Sequence, residues 1–128
     1  MRKIQMVFEG QLPDLNKYIE AIAVNRFLGG KLKKKFTDKI AWEAQSQKKE
    51  MLDMPVFIDF KWFCRNRRID KDNISSMGRK IILDGLQNAN VIAQDSWNAV
   101  EGFSDQFFLD KENPRVEIII KEVKNEKN

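Results

Sequence analysis

Asp70, Asp72, Asp84 and Asp95, with Lys80 among them, gather four carboxylates and an ammonium within 26 residues. Such a cluster suggests a divalent-metal site. The chain has no histidine and one cysteine, Cys64, which excludes an imidazole base, a histidine-cysteine catalytic pair and a structural zinc site. Carboxylate oxygens remain, and hard cations such as Mg2+ or Mn2+ prefer them. Three or four carboxylates can hold one or two such ions, activate water and clamp a phosphate under in-line attack. Lys80 could then stabilise the charge that develops on the phosphate, or orient the water.

An extended backbone through Asp70-Lys71-Asp72 points both aspartates the same way, within reach of one cation. Asp72 or Asn73 can also cap the helix that follows, a purely structural use of the same kind of oxygen. On that helix Asn73, Met77, Lys80 and Asp84 step by 4, 3 and 4 residues and form one stripe, so Lys80 and Asp84 face the site that Asp70 and Asp72 begin. Taken alone, a lysine and an aspartate four residues apart are an ordinary surface ion pair worth about 0.3–0.5 kcal/mol. Asp95 favours a site, because the chain reverses over residues 85–93 and could return it to the open end of a strand.

Net charge is +4 but unevenly spread: Arg26 to Lys49 holds eight basic residues against two acidic ones, which leaves −2 for the rest. A positive segment beside a carboxylate cluster suits an enzyme that grips a polyanion with one part and a cation with another. The plainer alternative is a solvated lysine-rich helix. At 128 residues, 42% hydrophobic and 33% charged, the chain reads as one domain with a real core. No apolar run approaches the roughly 20 residues that span a bilayer, and the start lacks a secretory leader. A lone cysteine forms no internal disulfide, so a reducing cytosol is the expected compartment.

The elements that must hold these groups follow from periodicity. Ile4, Met6 and Phe8 alternate with polar residues as a strand with one buried face. A helix runs from Asp14 or Leu15 to about Arg26, with Leu15, Tyr18, Ile19 and Ile22 on one side, and Gly29-Gly30 breaks it. A second helix spans Lys33 to about Glu50, where Leu32, Phe36, Ile40 and Ala44 form the packing stripe. Val56 to Cys64 is apolar on both faces and should be the central strand, with Cys64 a buried small hydrophobe. The basic loop Arg65-Asn66-Arg67-Arg68 leads into the acidic cluster, and a third helix covers Ile74 to about Gln87. Strands at Ala99 to Leu109 and Val116 to Ile120 flank a turn at Glu112-Asn113-Pro114. Residues 1–123 form the domain and 124–128 a frayed tail. The order predicts the α/β class: a mixed sheet with helices packed against it in a single compact domain. Of the tryptophans, Trp42 and Trp62 are assigned to the core, and Trp97, two residues past Asp95, is open to base stacking.

Several of these segments, taken in order, resemble the RusA-type Holliday-junction resolvases, small endodeoxyribonucleases often carried by prophages. Gly10-Gln11-Leu12-Pro13-Asp14-Leu15-Asn16 looks like the family's Gly, Pro and Asn signature after the first strand. Asp70-Lys71-Asp72-Asn73 is similar to its Asp-x-Asp-Asn, Lys80-Ile81-Ile82-Leu83-Asp84-Gly85-Leu86 to its Lys-x-x-x-Asp-x-Leu helix, and Gln94-Asp95 to its last acidic element. The likeness spans roughly residues 4 to 120. Two positions depart from it. The family's lysine falls where this chain has Ser76, four residues and about one helical turn before Lys80, and its final acidic pair is here Gln94-Asp95.

The resemblance implies a homodimer that resolves four-way DNA junctions in recombination and repair by paired symmetric nicks. It implies Mg2+ or Mn2+ dependence, with Asp70, Asp72 and Asp95 as ligands, Asp84 as ligand or support, and Lys80 as a catalytic group. Lys31, Lys33, Lys34, Lys35, Arg65, Arg67 and Arg68 would contact DNA phosphates, and Asn16 and Asn73 would support the site. Two other readings are a non-catalytic DNA-binding prophage protein of the same fold and a metal-dependent nucleotide hydrolase. The second would not need the basic segment.

Overall fold

The computed structural model describes residues 2–47, 50–53 and 55–123. The chain runs β1 (Lys3–Glu9), α1 (Leu15–Val24), α2 (Arg26–Gln47), β2 (Val56–Cys64), α3 (Lys71–Asn88), β3 (Val100–Leu109) and β4 (Arg115–Glu122). The four strands form one mixed sheet in the order β1-β4-β2-β3. β4 lies antiparallel to both β1 and β2, while β2 and β3 are parallel and joined through α3. The α/β reading therefore stands, with β2 inside the sheet and β3 at its edge.

Alternation places Val56, Ile58, Phe60 and Trp62 of β2 beside Met6, Phe8, Val116, Ile118 and Ile120 on one face. Ile40 and Ala44 of α2 and Met77, Ile81, Ile82 and Leu86 of α3 close over that face. Gly85 lets the two helices approach, since a Cβ there would stand 2.5 Å from Ile40 Cγ2. The other face of β2 is charged as well as apolar: Asp59 Oδ2 lies 2.7 Å from Lys121 Nζ, and the Arg115 guanidinium sits 3.8 Å above the Phe63 ring. At the β1 edge, the Gln47 side chain accepts from the Val7 amide and donates to its carbonyl, both at 2.9 Å. That pairing occupies backbone groups an edge strand would otherwise present to another chain.

Three local readings are corrected. Gly29-Gly30 lies inside α2; Gly29 packs where a Cβ would be 2.5 Å from Ile22 Cγ1, so the glycine serves close contact between α1 and α2. The break falls at Asn25, extended at φ −167°, whose side chain accepts from the Phe27 amide at 2.8 Å and starts α2. α1 buries no residue fully, and Ile19 and Ile22 of its apolar side are exposed. Trp42 is 77% exposed rather than in the core, because the α2 stripe through Ile40 and Ala44 turns position 42 outward. Lys48, Lys49 and the expected tail at 124–128 lie outside the described residues.

Candidate active site and nucleic-acid interface

The first half of the candidate site is built on the start of α3. Asp70 is its N-cap, with φ −62° and ψ 143°, and its carbonyl accepts the Asn73 and Ile74 amides at 3.1 and 3.2 Å. Asp72 lies in the first turn. The helix thus begins three residues before Ile74, and the extended Asp70-Lys71-Asp72 segment expected from sequence is absent. In its place the two carboxylates flank a helix end, where the backbone dipole favours negative charge. The Asp70 side chain makes no capping bond, and among the described residues neither aspartate is ion-paired. Both line a groove of about 700 Å3 together with Asn66, Arg67, Lys71, Phe107, Phe108 and Leu109. Arg65, Arg67 and Arg68 are exposed in the loop before it, which an Asn66 side chain tightens by accepting the Arg68 amide at 2.9 Å.

The second half lies further along α3. Lys80 Nζ is 3.2 Å from Asp84 Oδ1 and 3.6 Å from Asp95 Oδ2, and Lys33 Nζ reaches Asp84 Oδ2 at 3.1 Å. Asp95 arrives there because Asn90, with φ 58°, turns the chain after α3 and Val91 and Ile92 bury themselves beneath it. The hydrogen bond to Asp84, with the nearby Asp95 charge, raises the Lys80 pKa above that of a free lysine. Lys80 is therefore cationic and held between two carboxylates, more than an isolated ion pair.

These two halves do not meet within one chain. Asp72 and Asp84 are separated by twelve residues of continuous helix, about 18 Å along its axis. Among the described residues no three carboxylate, cysteine or histidine side chains converge to hold a metal. Convergence of all four aspartates, expected from sequence, is replaced by two pairs at opposite ends of α3. The predicted stripe also fails to be uniform: Met77 is buried in the core while Lys80 is 54% exposed.

The remaining predicted residues divide by position. Lys31, Lys34 and Lys35 are exposed on α2; Lys34 pairs with Asp38 at 2.7 Å and Lys35 lies 5.6 Å above the Phe36 ring. Asn16 is exposed in the first turn of α1, and Asn73 is half-buried. Cys64 is half-buried, with burial pushing its thiol pKa up, consistent with an inert packing role. Sequence reading missed Arg79, whose guanidinium donates to Asp105 at 2.6 Å and lies 4.1 Å over Phe103, while the buried Trp62 indole donates to the same carboxylate at 2.8 Å. An acidic residue on a strand was the only signal in the sequence, and it does not reveal a partner on α3.

The model of the family described as Endodeoxyribonuclease RusA matches residues 13–121, most of the 128-residue chain. The chain belongs to this endodeoxyribonuclease family, which acts on Holliday junctions. No curated protein matches the sequence. Among the described residues, no helix is long and apolar enough to cross a membrane.

Proposed function

We propose that the protein is an Mg2+-dependent resolvase that nicks four-way DNA junctions symmetrically, as a homodimer, in recombination and repair. The observation that carries this reading is the pair Asp70 and Asp72: two carboxylates without ionic partners among the described residues, at a helix N-terminus, in a groove that also holds Arg67 and Lys71. That donor set fits Mg2+, which takes one or two carboxylates and fills its remaining positions with water and substrate phosphate. When bound, the ion would supply a polarised phosphate and an activated water. The chain's own work is to present the two aspartates and to hold the phosphate backbone with Arg65, Arg67, Arg68 and Lys71. A non-catalytic DNA-binding role would not need free carboxylates inside the basic groove.

A homodimer gives the second acidic pair a use. If two copies pair with their α3 helices antiparallel, the Asp70 end of one copy comes to the Lys80, Asp84 and Asp95 end of the other. Each composite site would then have the further carboxylates and the ammonium that a single chain keeps apart from Asp72, Lys80 by about 12 Å and Asp84 by about 18 Å along α3. A two-fold protein also suits a two-fold junction and paired nicks.

The test is nicking of a synthetic four-way junction with and without Mg2+, beside matched duplex DNA and free nucleotides. Metal-dependent, symmetric cuts restricted to the junction support the proposal. Turnover of nucleotides instead would establish the hydrolase reading, and binding without cutting would establish the non-catalytic one.

A further inference from the structure

Across the face of the sheet opposite the core, three side chains form a row. Arg115 of β4 lies 3.8 Å over the ring of Phe63 on β2, and Phe63 stacks on Phe108 of β3 with centroids 4.9 Å apart and planes 19° from parallel. Asp110 at 2.8 Å and Glu117 at 2.7 Å fix the guanidinium, so the row is anchored at its inner end. β3 is the sheet edge, and among the described residues no strand lies beyond Phe108. Its ring is 41% exposed, and it lines the groove that contains Asp70, Asp72, Arg67 and Lys71. A rigid aromatic ring with an open side, next to cations and beside the carboxylates, matches the chemistry of a single nucleotide: a flat apolar base joined to a phosphate.

We infer that Phe108 is a base-stacking residue that receives an unstacked nucleobase from the junction branch point, while Arg67 and Lys71 hold the adjoining phosphate at Asp70 and Asp72. This rests on the nuclease reading above and assigns the nucleotide that its groove accepts. Branch-point bases have lost a stacking neighbour, so withdrawing one costs less than it does in continuous duplex. The contact would thereby favour junctions over duplex without reading sequence, because every base has a stacking face. Charge complementarity argues for DNA in this groove over a second copy of the chain, since Arg67 and Lys71 line it and the exposed Arg65 and Arg68 belong to the same loop.

The experiment compares the wild-type protein, Phe108→Leu and Phe108→Tyr. Tyrosine keeps an aromatic face and leucine does not, and thermal unfolding checks that both fold at this exposed edge position. Two readouts are taken: emission from 2-aminopurine at the branch point on binding in EDTA, and single-turnover cleavage of an intact junction and of one with an abasic site at that nucleotide. The expected result is a several-fold emission rise with wild type and Phe108→Tyr, absent in Phe108→Leu. Cleavage by Phe108→Leu should fall about tenfold, within what one stacked base contributes. The abasic junction should slow wild type by a similar factor and slow Phe108→Leu no further. An unaltered emission change in Phe108→Leu, with full sensitivity to the abasic site, would overturn the inference while leaving the nuclease reading intact. Loss of dimers in Phe108→Leu under conditions where wild type is dimeric would overturn it in favour of a subunit contact. Should wild type bind and show the emission change without cutting in Mg2+, the stacking role stands and the resolvase reading fails.

Discussion

Lys33 Nζ stands 3.1 Å from Asp84 Oδ2, so the basic helix α2 is fastened directly to the acidic end of α3. Asp84 thus receives two ammonium groups, from Lys33 and Lys80, while Asp95 shares the second. The far end of α3 is different: Asp70 and Asp72 have no ionic partner among the described residues. A neutralised acidic pair therefore stands at one end of α3 and, among the described residues, an unpaired one at the other.

Asp70→Asn and Asp72→Asn should each abolish cleavage while leaving junction affinity and thermal stability nearly unchanged. Among the described residues neither carboxylate has an ion pair through which to stabilise the fold, and exposed substitutions of this kind shift stability by about 0.5 kcal/mol or less. The rate loss should exceed the roughly 10–100-fold that removal of a supporting group costs at metal sites. Single-turnover kinetics with a binding titration check this, and near-normal nicking would remove both residues from the catalytic centre.

Mixing inactive Asp70→Asn protein with inactive Asp95→Asn protein should restore nicking of one strand per junction. In a heterodimer with composite sites, one site collects both substitutions and the other has neither. Strand-resolved cleavage after subunit exchange is the measurement; no recovery by verified heterodimers would mean that each site is built within one chain.

Alanine at Lys34 and Lys35 should weaken junction binding and flatten its log-log salt dependence by about 0.9 for each phosphate that the variant no longer neutralises. Lys33→Ala should act differently, slowing single-turnover cleavage by freeing Asp84 from one of its two cations. Equal effects of all three substitutions on affinity alone would make Lys33 an ordinary phosphate-binding lysine.

Asp105→Ala should destabilise the fold by about 1–3 kcal/mol, because it strands the buried Trp62 indole N–H and frees Arg79. Asp105→Asn should cost less, since an amide oxygen can still accept from the indole. Urea unfolding followed by tryptophan fluorescence distinguishes the two.

Acid stability should depend on Glu122, which accepts from the Arg2 side chain at 3.0 Å, the Arg2 amide at 2.9 Å and the Asp53 amide at 2.7 Å. The Arg2 side chain first, then these amides, lower its carboxyl pKa from 4.5 to about 2. A depressed carboxyl favours the folded state above the unfolded pKa and loses that contribution as pH falls through the folded one. The wild-type advantage over Glu122→Gln should therefore be full above pH 4.5 and vanish towards pH 2. Chemical denaturation across this range measures it, and a pH-independent difference would contradict the assignment.

Alternation in β1 and β2, the apolar stripe of α2 and the order of strands and helices were legible in the sequence because they follow from periods of two and 3.6 residues. The ordered Asp-x-Asp-Asn and Lys-x-x-x-Asp-x-Leu segments likewise carried the family. Helix ends were less legible: the extended backbone at Asn25 and at the N-cap position Asp70 depends on individual dihedrals, so α2 and α3 begin earlier than their apolar patterns suggest. Proximity in sequence also made one site of Asp70, Asp72, Asp84 and Asp95. Only the tertiary structure decided that they form two pairs, because α3 is continuous from Lys71 to Asn88 and its rigid rise keeps the first turn and Asp84 about 18 Å apart. The row Arg115, Phe63 and Phe108 was equally hidden, since strands distant in sequence become neighbours only when the sheet assembles.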